Sequence, residues 1–470
     1  MKFKKINERE QNREVSRRAL LGWMTAAGAC LSVPAWKVKE IIEGTHGKAF
    51  AVANQRGRRY CRIDLGVGGL AWMTQLTPHR TLQGTTGRSY LFEGQGRLAS
   101  GTDKPLFLSP AGELMAAGLE GRIGGMPSVF RAGRDQTHTR VSTCHTTTMN
   151  GRDVPAQSGV FQIANTHLLP ALNVNNSNFG NAPGAPNPVA LNNANAMVST
   201  FQSAATDAQG ILFDVRDAEL YDANMTALLK LKKAVNRPTM DKGIKASQVS
   251  GQVVGLDIGK LLEVTDNDRV AYGLDQGSGG DGRIQGLATF LIVAAKMIKL
   301  ALVSNFSIQA FNDDPHGAYN NVGNSQQFAL SLGRVFNAFW SDMANTVDPL
   351  GDSNTLAQEV VMQVTGDTVK NPENPAGWGD GSRGSSTSWV WGAGATKTGD
   401  FGGLQLGNGG HSFDPQTGDE DTNRSAQQNQ EILAHAVLFA VAQADAREAD
   451  NASGGISSDY PGILNFDVDG

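Results

Sequence analysis

The chain has 470 residues, with 41 Lys+Arg against 45 Asp+Glu and a formal charge of −4. Such a length makes one large domain or roughly two or three ordinary ones, and the near-balanced charge excludes a general nucleic-acid binder, which carries a basic excess. Charged residues at 18% and 56 glycines describe a loop-rich, weakly charged surface, while three cysteines exclude a disulfide scaffold and every multi-cysteine zinc module.

At the N-terminus, Lys2, Lys4, Lys5, Arg13, Arg17 and Arg18 precede an apolar run from Ala19 to Trp36. The run is too short and too rich in Gly and Ala for a stable transmembrane span. Ser16-Arg17-Arg18-Ala19-Leu20-Leu21 resembles the twin-arginine (Tat) export signal. Residues 1–51 therefore read as a targeting segment, cleaved after Ala35 or after Ala51, with the Tat export machinery as a partner and the periplasm or the outside of a bacterium as the destination. Ala27-Gly28-Ala29-Cys30 is a poor lipoprotein box, because its first position is not Leu. If Cys30 is removed, Cys61 and Cys144 remain, either paired in an oxidising compartment or as two separate buried thiols.

Residues 52–470 are expected to form a single α/β domain. Arg59–Leu65 alternates and runs into Gly66-Val67-Gly68-Gly69, a strand followed by a glycine loop. Residues 103–165 are short segments broken by glycine, with a strand at Ser128–Arg131. Residues 171–195 hold nine Asn and three Pro without an apolar period, and are expected to be a surface insertion rather than an element. Helical spacing predicts a helix over 217–235, stopped by Pro238, and another over 286–301. The latter leads into a strand at 302–311, then a helix at 327–346, a strand at 356–365 and a last long helix at 431–445. Helix–strand alternation of this kind is the pattern of crossovers in a mainly parallel sheet with helices on both faces. No internal repeat of fixed period is present.

Ligands of such sheets bind beyond the carboxyl ends of the strands. The most chemical loop lies at such an end: Phe311-Asn312-Asp313-Asp314-Pro315-His316-Gly317. Two carboxylates and an imidazole within four residues suit a hard or borderline cation. The competing reading is an Asx turn bent by Pro315, with His316 in solvent.

The order helix 286–301, strand 302–311, Asp314-x-His316, helix 327–346, strand 356–365 and a glycine-rich stretch resembles the C-terminal half of the Tat-exported domain-of-unknown-function 1501 family. That family is an alkaline-phosphatase/sulfatase-like branch, and Asp314 and His316 match the Asp and His of its Gly-Gly-Phe-Asp-Thr-His motif. Other family positions depart from the pattern. Gln363–Thr368 keeps the Gly and Thr of Ser-Glu-Phe-Gly-Arg-Thr but loses Glu and Arg. Trp391–Gly399 resembles the Gly-Gly-x-x-Lys-Gly turn, yet the Asp-His pair before it is replaced around Ser382–Ser386. At the N-terminal end, Gly68–Pro78 keeps the glycines and the proline, with Trp72 at the His position and Thr74 and Thr77 at the two Asp positions. Thr137-His138 with Thr148–Gly151 resembles the family's His and Thr-Gly stretch.

The resemblance implies an alkaline-phosphatase-like fold and a site for a divalent metal (zinc, manganese, calcium or magnesium) or, with ligands lost, none. Asp314 and His316 are the matched metal ligands, His138 a partial match, and Asp313, Asp64 and Asp380 unmatched candidates. Thr74 is the candidate nucleophile, since enzymes of that superfamily use Thr or Ser. Two-metal phosphatases hold ions roughly 3.5–4 Å apart with several anionic ligands, and a Trp and two Thr do not replace a His and two Asp. Two function classes follow. One is a non-catalytic exported binding or structural relative, with an envelope or extracellular partner; the ligand losses favour it. The other is a metal-dependent phosphate or sulfate ester hydrolase with a reduced site around Asp314 and His316.

Elsewhere, Gly277–Gly282 and Gly379–Ser382 lack the Lys-Ser/Thr of a phosphate-cradling loop, and Gly409–Phe413 lacks the second glycine of a nucleophile elbow. Trp378, Trp389 and Trp391 read as core packing before they read as a stacking surface.

Overall fold

The computed structural model describes residues 57–65, 70–82, 92, 95–133, 148–149, 152–153, 160, 171–175, 189–199, 226, 258–275, 281–311, 321–349, 354–365, 385–405, 409–453 and 460–466. The chain divides into two compact units, one of Met1–Asn54 with Asn195–Glu263 and one of Gln55–Ala194 with Val264–Gly470.

In chain order the second unit begins with β1 (Arg59–Asp64), α1 (Leu70–Thr74), β2 (Arg97–Leu98), β3 (Phe107–Leu108), α2 (Pro110–Ala116), β4 (Ser128–Gly133), β5 (Thr148–Met149), β6 (Arg152–Asp153), β7 (Leu172–Val174) and β8 (Val189–Leu191). In the first unit lies α3 (Ile258–Leu262). The second unit resumes with α4 (Asp266–Ala271), α5 (Gly282–Lys299), β9 (Asn305–Gln309), α6 (Val322–Ala344), β10 (Val360–Thr365), β11 (Ser385–Trp391) and β12 (Gly399–Phe401). It continues through β13 (Gly403–Gln405), β14 (Gly409–Phe413), β15 (Glu420–Asp421), α7 (Ala426–Val441) and α8 (Ala446–Ser453).

Eight strands form one sheet in the order β12-β4-β11-β10-β1-β9-β7-β8. All pairings are parallel except the two made by β11. The strands expected at 59–65, 302–311 and 356–365 are therefore three adjacent parallel strands, with β1 between β9 and β10. The α/β reading holds, with a mixed, mostly parallel sheet.

Register and side-chain alternation give the sheet two different faces. Cys61, Ile63, Phe306, Ile308, Met362 and Val364 share one face, apolar across these three strands except for Arg59 at the start of β1. α6 covers that side, where Phe336 and Trp340 stack on Trp391 of β11 at 5.6 and 5.7 Å. On the other face Tyr60, Val361 and Val390 join one buried cluster with Ala436, Val437 and Ala440 of α7. Trp389 and Trp391 are fully buried, as core residues; Trp378 lies outside the described residues.

Capping side chains set the helix starts that periodicity alone misplaces. Asp281 accepts from Arg283 N, so α5 begins four residues before Gly286. Asn321 caps α6, and Ser425 with Gln428 forms a capping box on α7. Gln443 and Ala444, with φ of 60° and 64°, take the left-handed conformation just past α7, which ends at Val441 rather than near 445. Ala301 (φ 50°) does the same after α5, so the following strand starts at Asn305. The segment 356–358 is a 3-10 turn, and β10 starts only at Val360. The helix expected over 217–235 lies outside the described residues.

The expectation of no regular element in 171–195 is corrected: β7 and β8 add two parallel strands to the sheet there. Leu172 and Val174 fill the apolar face beside Phe306 and Ile308, with Asn173 between them. A strand of three residues is too short to register as an alternation among so many asparagines.

Candidate functional site

β1, β9 and β10 point the same way, and their carboxyl ends are tied together. Ala310 N donates to Asp64 O at 2.7 Å, and Leu65 N donates to Thr365 O at 2.8 Å. The segments that begin at this edge are 66–69, 312–320 and 366–384. Asp313, Asp314, His316 and Asp380 lie in them and, with His138, fall outside the described residues. Asp64 and Thr74 are described.

Two polar rows run across the face of the sheet opposite the apolar one. In the first, Gln363, Arg62, Ser307 and Asn173 stand side by side on β10, β1, β9 and β7, all fully buried. In the second, one step nearer the edge, Thr365, Asp64 and Gln309 stand side by side, the first two fully buried and Gln309 partly so. Buried parallel strands are ordinarily apolar on both faces, so these rows are a departure that the fold must compensate. Tyr60 Oη donates to Gln363 Oε1 at 2.6 Å, and Ser388 Oγ donates to Val364 O at 3.2 Å. Arg62 Nη2 lies 3.5 Å from Thr365 Oγ1 and 3.7 Å from Asp64 Oδ2. Ser307 Oγ, buried in the middle of the first row, has no hydrogen-bond partner among the described residues.

Thr74 ends α1 and is 6% exposed, in a turn whose neighbours Trp72, Met73, Gln75 and Leu76 are also buried. Trp72, at the position where the resemblance calls for His, packs on Phe328 of α6 with ring centroids 4.6 Å apart. The Arg283 guanidinium lies over both rings, 4.4 Å from the Phe328 centroid and 5.5 Å from that of Trp72. Asp281 holds that guanidinium with both carboxylate oxygens. Phe311, the last described residue before the 312–320 segment, meets Phe328 edge-on at 5.8 Å. This side of the edge is therefore walled by aromatic rings and one cation.

A second polar cluster sits on the apolar-side face, toward the same edge. Arg131 of β4 makes two bonds to Asp400 of β12, at 2.6 and 2.9 Å, and a third to Thr77 O at 3.0 Å. Trp389 Nε1 donates to Thr77 Oγ1 at 2.6 Å. His79, whose Nδ1 lies 2.9 Å from Thr81 Oγ1, is pushed down to about 2 by burial and by the Arg131 and Arg80 charges. The imidazole is thus neutral across the physiological range, and the cluster pins residues 75–82 to β4. Spacing in the sequence gave no signal for it, because its members lie up to about 300 residues apart.

Cys61 is a free thiol within β1, pushed well up by burial; Cys144 lies outside the described residues. His411, in the segment that failed as a nucleophile elbow, is on β14 and pairs with Glu420. Among the described residues, no three His, Cys, Asp or Glu side chains converge, and no helix is long and apolar enough to cross a membrane.

Comparison of the chain with protein-family models, with curated proteins and with solved structures returns no match.

Proposed function

We propose that the chain is a Tat-exported, non-catalytic binding or structural protein on an alkaline-phosphatase/sulfatase-like α/β scaffold, acting in the periplasm or outside the cell. The observation that carries this reading is Arg62. It stands fully buried in the middle strand, in the row just behind the edge, within 3.7 Å of Asp64. A site that binds divalent ions concentrates negative charge, and like charges in a low-dielectric interior repel strongly. Here the carboxylate that ends β1 already faces a fixed cation, so it is poorly placed to take a second one. Trp72 adds to this, since it fills with a packed indole a position where the resemblance implies an imidazole.

The second reading is a metal-dependent phosphate or sulfate ester hydrolase with Asp314 and His316 as its ligands. It is favoured by the place where β9 ends: next to β1, at the carboxyl edge of a parallel sheet, four residues before Asp313. A zinc, manganese, calcium or magnesium ion held there would supply Lewis-acid activation of the ester oxygen. Metal analysis of the purified mature protein after incubation with each ion separates the two. The binding-protein reading expects no stoichiometric retention, and close to two equivalents would overturn it.

A further inference from the structure

At the opposite edge of the sheet, where β11 ends and β4 begins, lies a cavity of about 590 Å³. Its size falls in the range of roughly 300–1,000 Å³ usual for small-molecule sites. Turns build its walls. Gly121 (φ 73°) and Gly124 (φ 79°) bracket Arg122 and Ile123, and Ala393 (φ 54°) precedes Gly394 (φ 87°). A left-handed alanine is strained, and such strain gathers at ligand-holding turns. A Cβ at Gly394 would stand 2.9 Å from the Ile123 side chain, so glycine keeps this wall thin.

The lining joins two features that solvent alone does not favour. Ile123 is 56% exposed and Phe466 is 39% exposed, and both face the same cavity. Among the described residues its charged lining is Arg122 and Lys397, with no carboxylate. Arg122 reaches Asn345 at 3.4 Å, and the Lys397 ammonium has no ion-pair or hydrogen-bond partner among the described residues. The backbone around Lys397 is nonetheless fixed, because Lys397 N donates to Ile463 O and Ser128 Oγ donates to Lys397 O.

We propose that this cavity is a binding site for a small organic anion with an apolar body, its charge on Lys397 and Arg122 and its body against Ile123 and Phe466. The site is separate from the Asp64 edge and does not depend on what that edge does. Two fluorescent probes test it on the mature protein: 1-anilinonaphthalene-8-sulfonate, and the uncharged N-phenyl-1-naphthylamine. The sulfonate should bind saturably at one site. Lys397→Glu should weaken it about tenfold while moving the neutral probe by less than about twofold, since only the charge contact is lost. Ile123→Asp should weaken both probes. Ile123 is exposed and Lys397 half-buried, and neither fills the core, so the thermal midpoints of the variants should stay close to that of the parent. No saturable binding, or sulfonate affinity unchanged in Lys397→Glu, would overturn the proposal.

Discussion

Arg62 Nη2 and Asp64 Oδ2 lie 3.7 Å apart on one face of the central strand, both side chains completely buried. Removing one partner of a buried pair leaves an uncompensated charge, which costs more than the pair itself contributes. Arg62→Met should therefore lower stability by about 3–5 kcal/mol in urea unfolding, and Arg62→Met with Asp64→Leu by clearly less. Equal losses in the single and double variants would mean that Arg62 is held by groups other than Asp64.

His79 gives a pH signature. Its folded value of about 2 lies below the ordinary 6.5 of an unfolded imidazole. Between those values the unfolded chain takes up a proton that the folded chain refuses. Stability is then fully present above pH 6.5 and falls as the pH drops below it, by about 1.4 kcal/mol per pH unit from this residue. Unfolding free energies of the parent and His79→Gln between pH 6.5 and 4.5 should converge with that slope. Parallel curves would place the imidazole in solvent.

Gly333 and Gly286 should respond oppositely to alanine. A Cβ at Gly333 in α6 would stand 2.2 Å from Ala111 O, whereas one at Gly286 in α5 meets nothing within 4 Å. Gly286→Ala should stabilise by about 0.5–1 kcal/mol through helix propensity. Gly333→Ala should destabilise by about 1–3 kcal/mol, because α2 has to move away from α6. Thermal unfolding of the two variants checks both signs.

The export reading has its own test. Replacing Arg17 and Arg18 by Lys keeps the charge and removes the paired arginines that the Tat route reads. Precursor should then accumulate in the cytoplasm, as seen by fractionation and immunoblot. Undiminished export would assign the segment to another route.

The three central strands were legible because Val360–Thr365, Arg59–Asp64 and Asn305–Gln309 are compact β-forming runs bounded by turns. β7 and β8 were not, being three-residue strands within an asparagine-rich stretch. The buried polar rows were written in the sequence as Arg62-x-Asp64, Ser307-x-Gln309 and Gln363-x-Thr365. Their meaning needed the register, since only parallel pairing in that alignment sets the three runs side by side on one face. The sequence marks Asp64 as a candidate ligand, but nothing local marks Arg62 as its counter-charge. The Arg131–Asp400–Thr77 cluster left no local trace, because strand order and not spacing brings it together.

Turnover of p-nitrophenyl phosphate and p-nitrophenyl sulfate by the mature, metal-loaded protein tests the central claim most directly. A non-catalytic scaffold should show no release of p-nitrophenolate above that of its own His316→Ala variant, with any of the four ions. Saturable turnover that disappears in His316→Ala, at an unchanged unfolding midpoint, would contradict the account and make the chain a hydrolase.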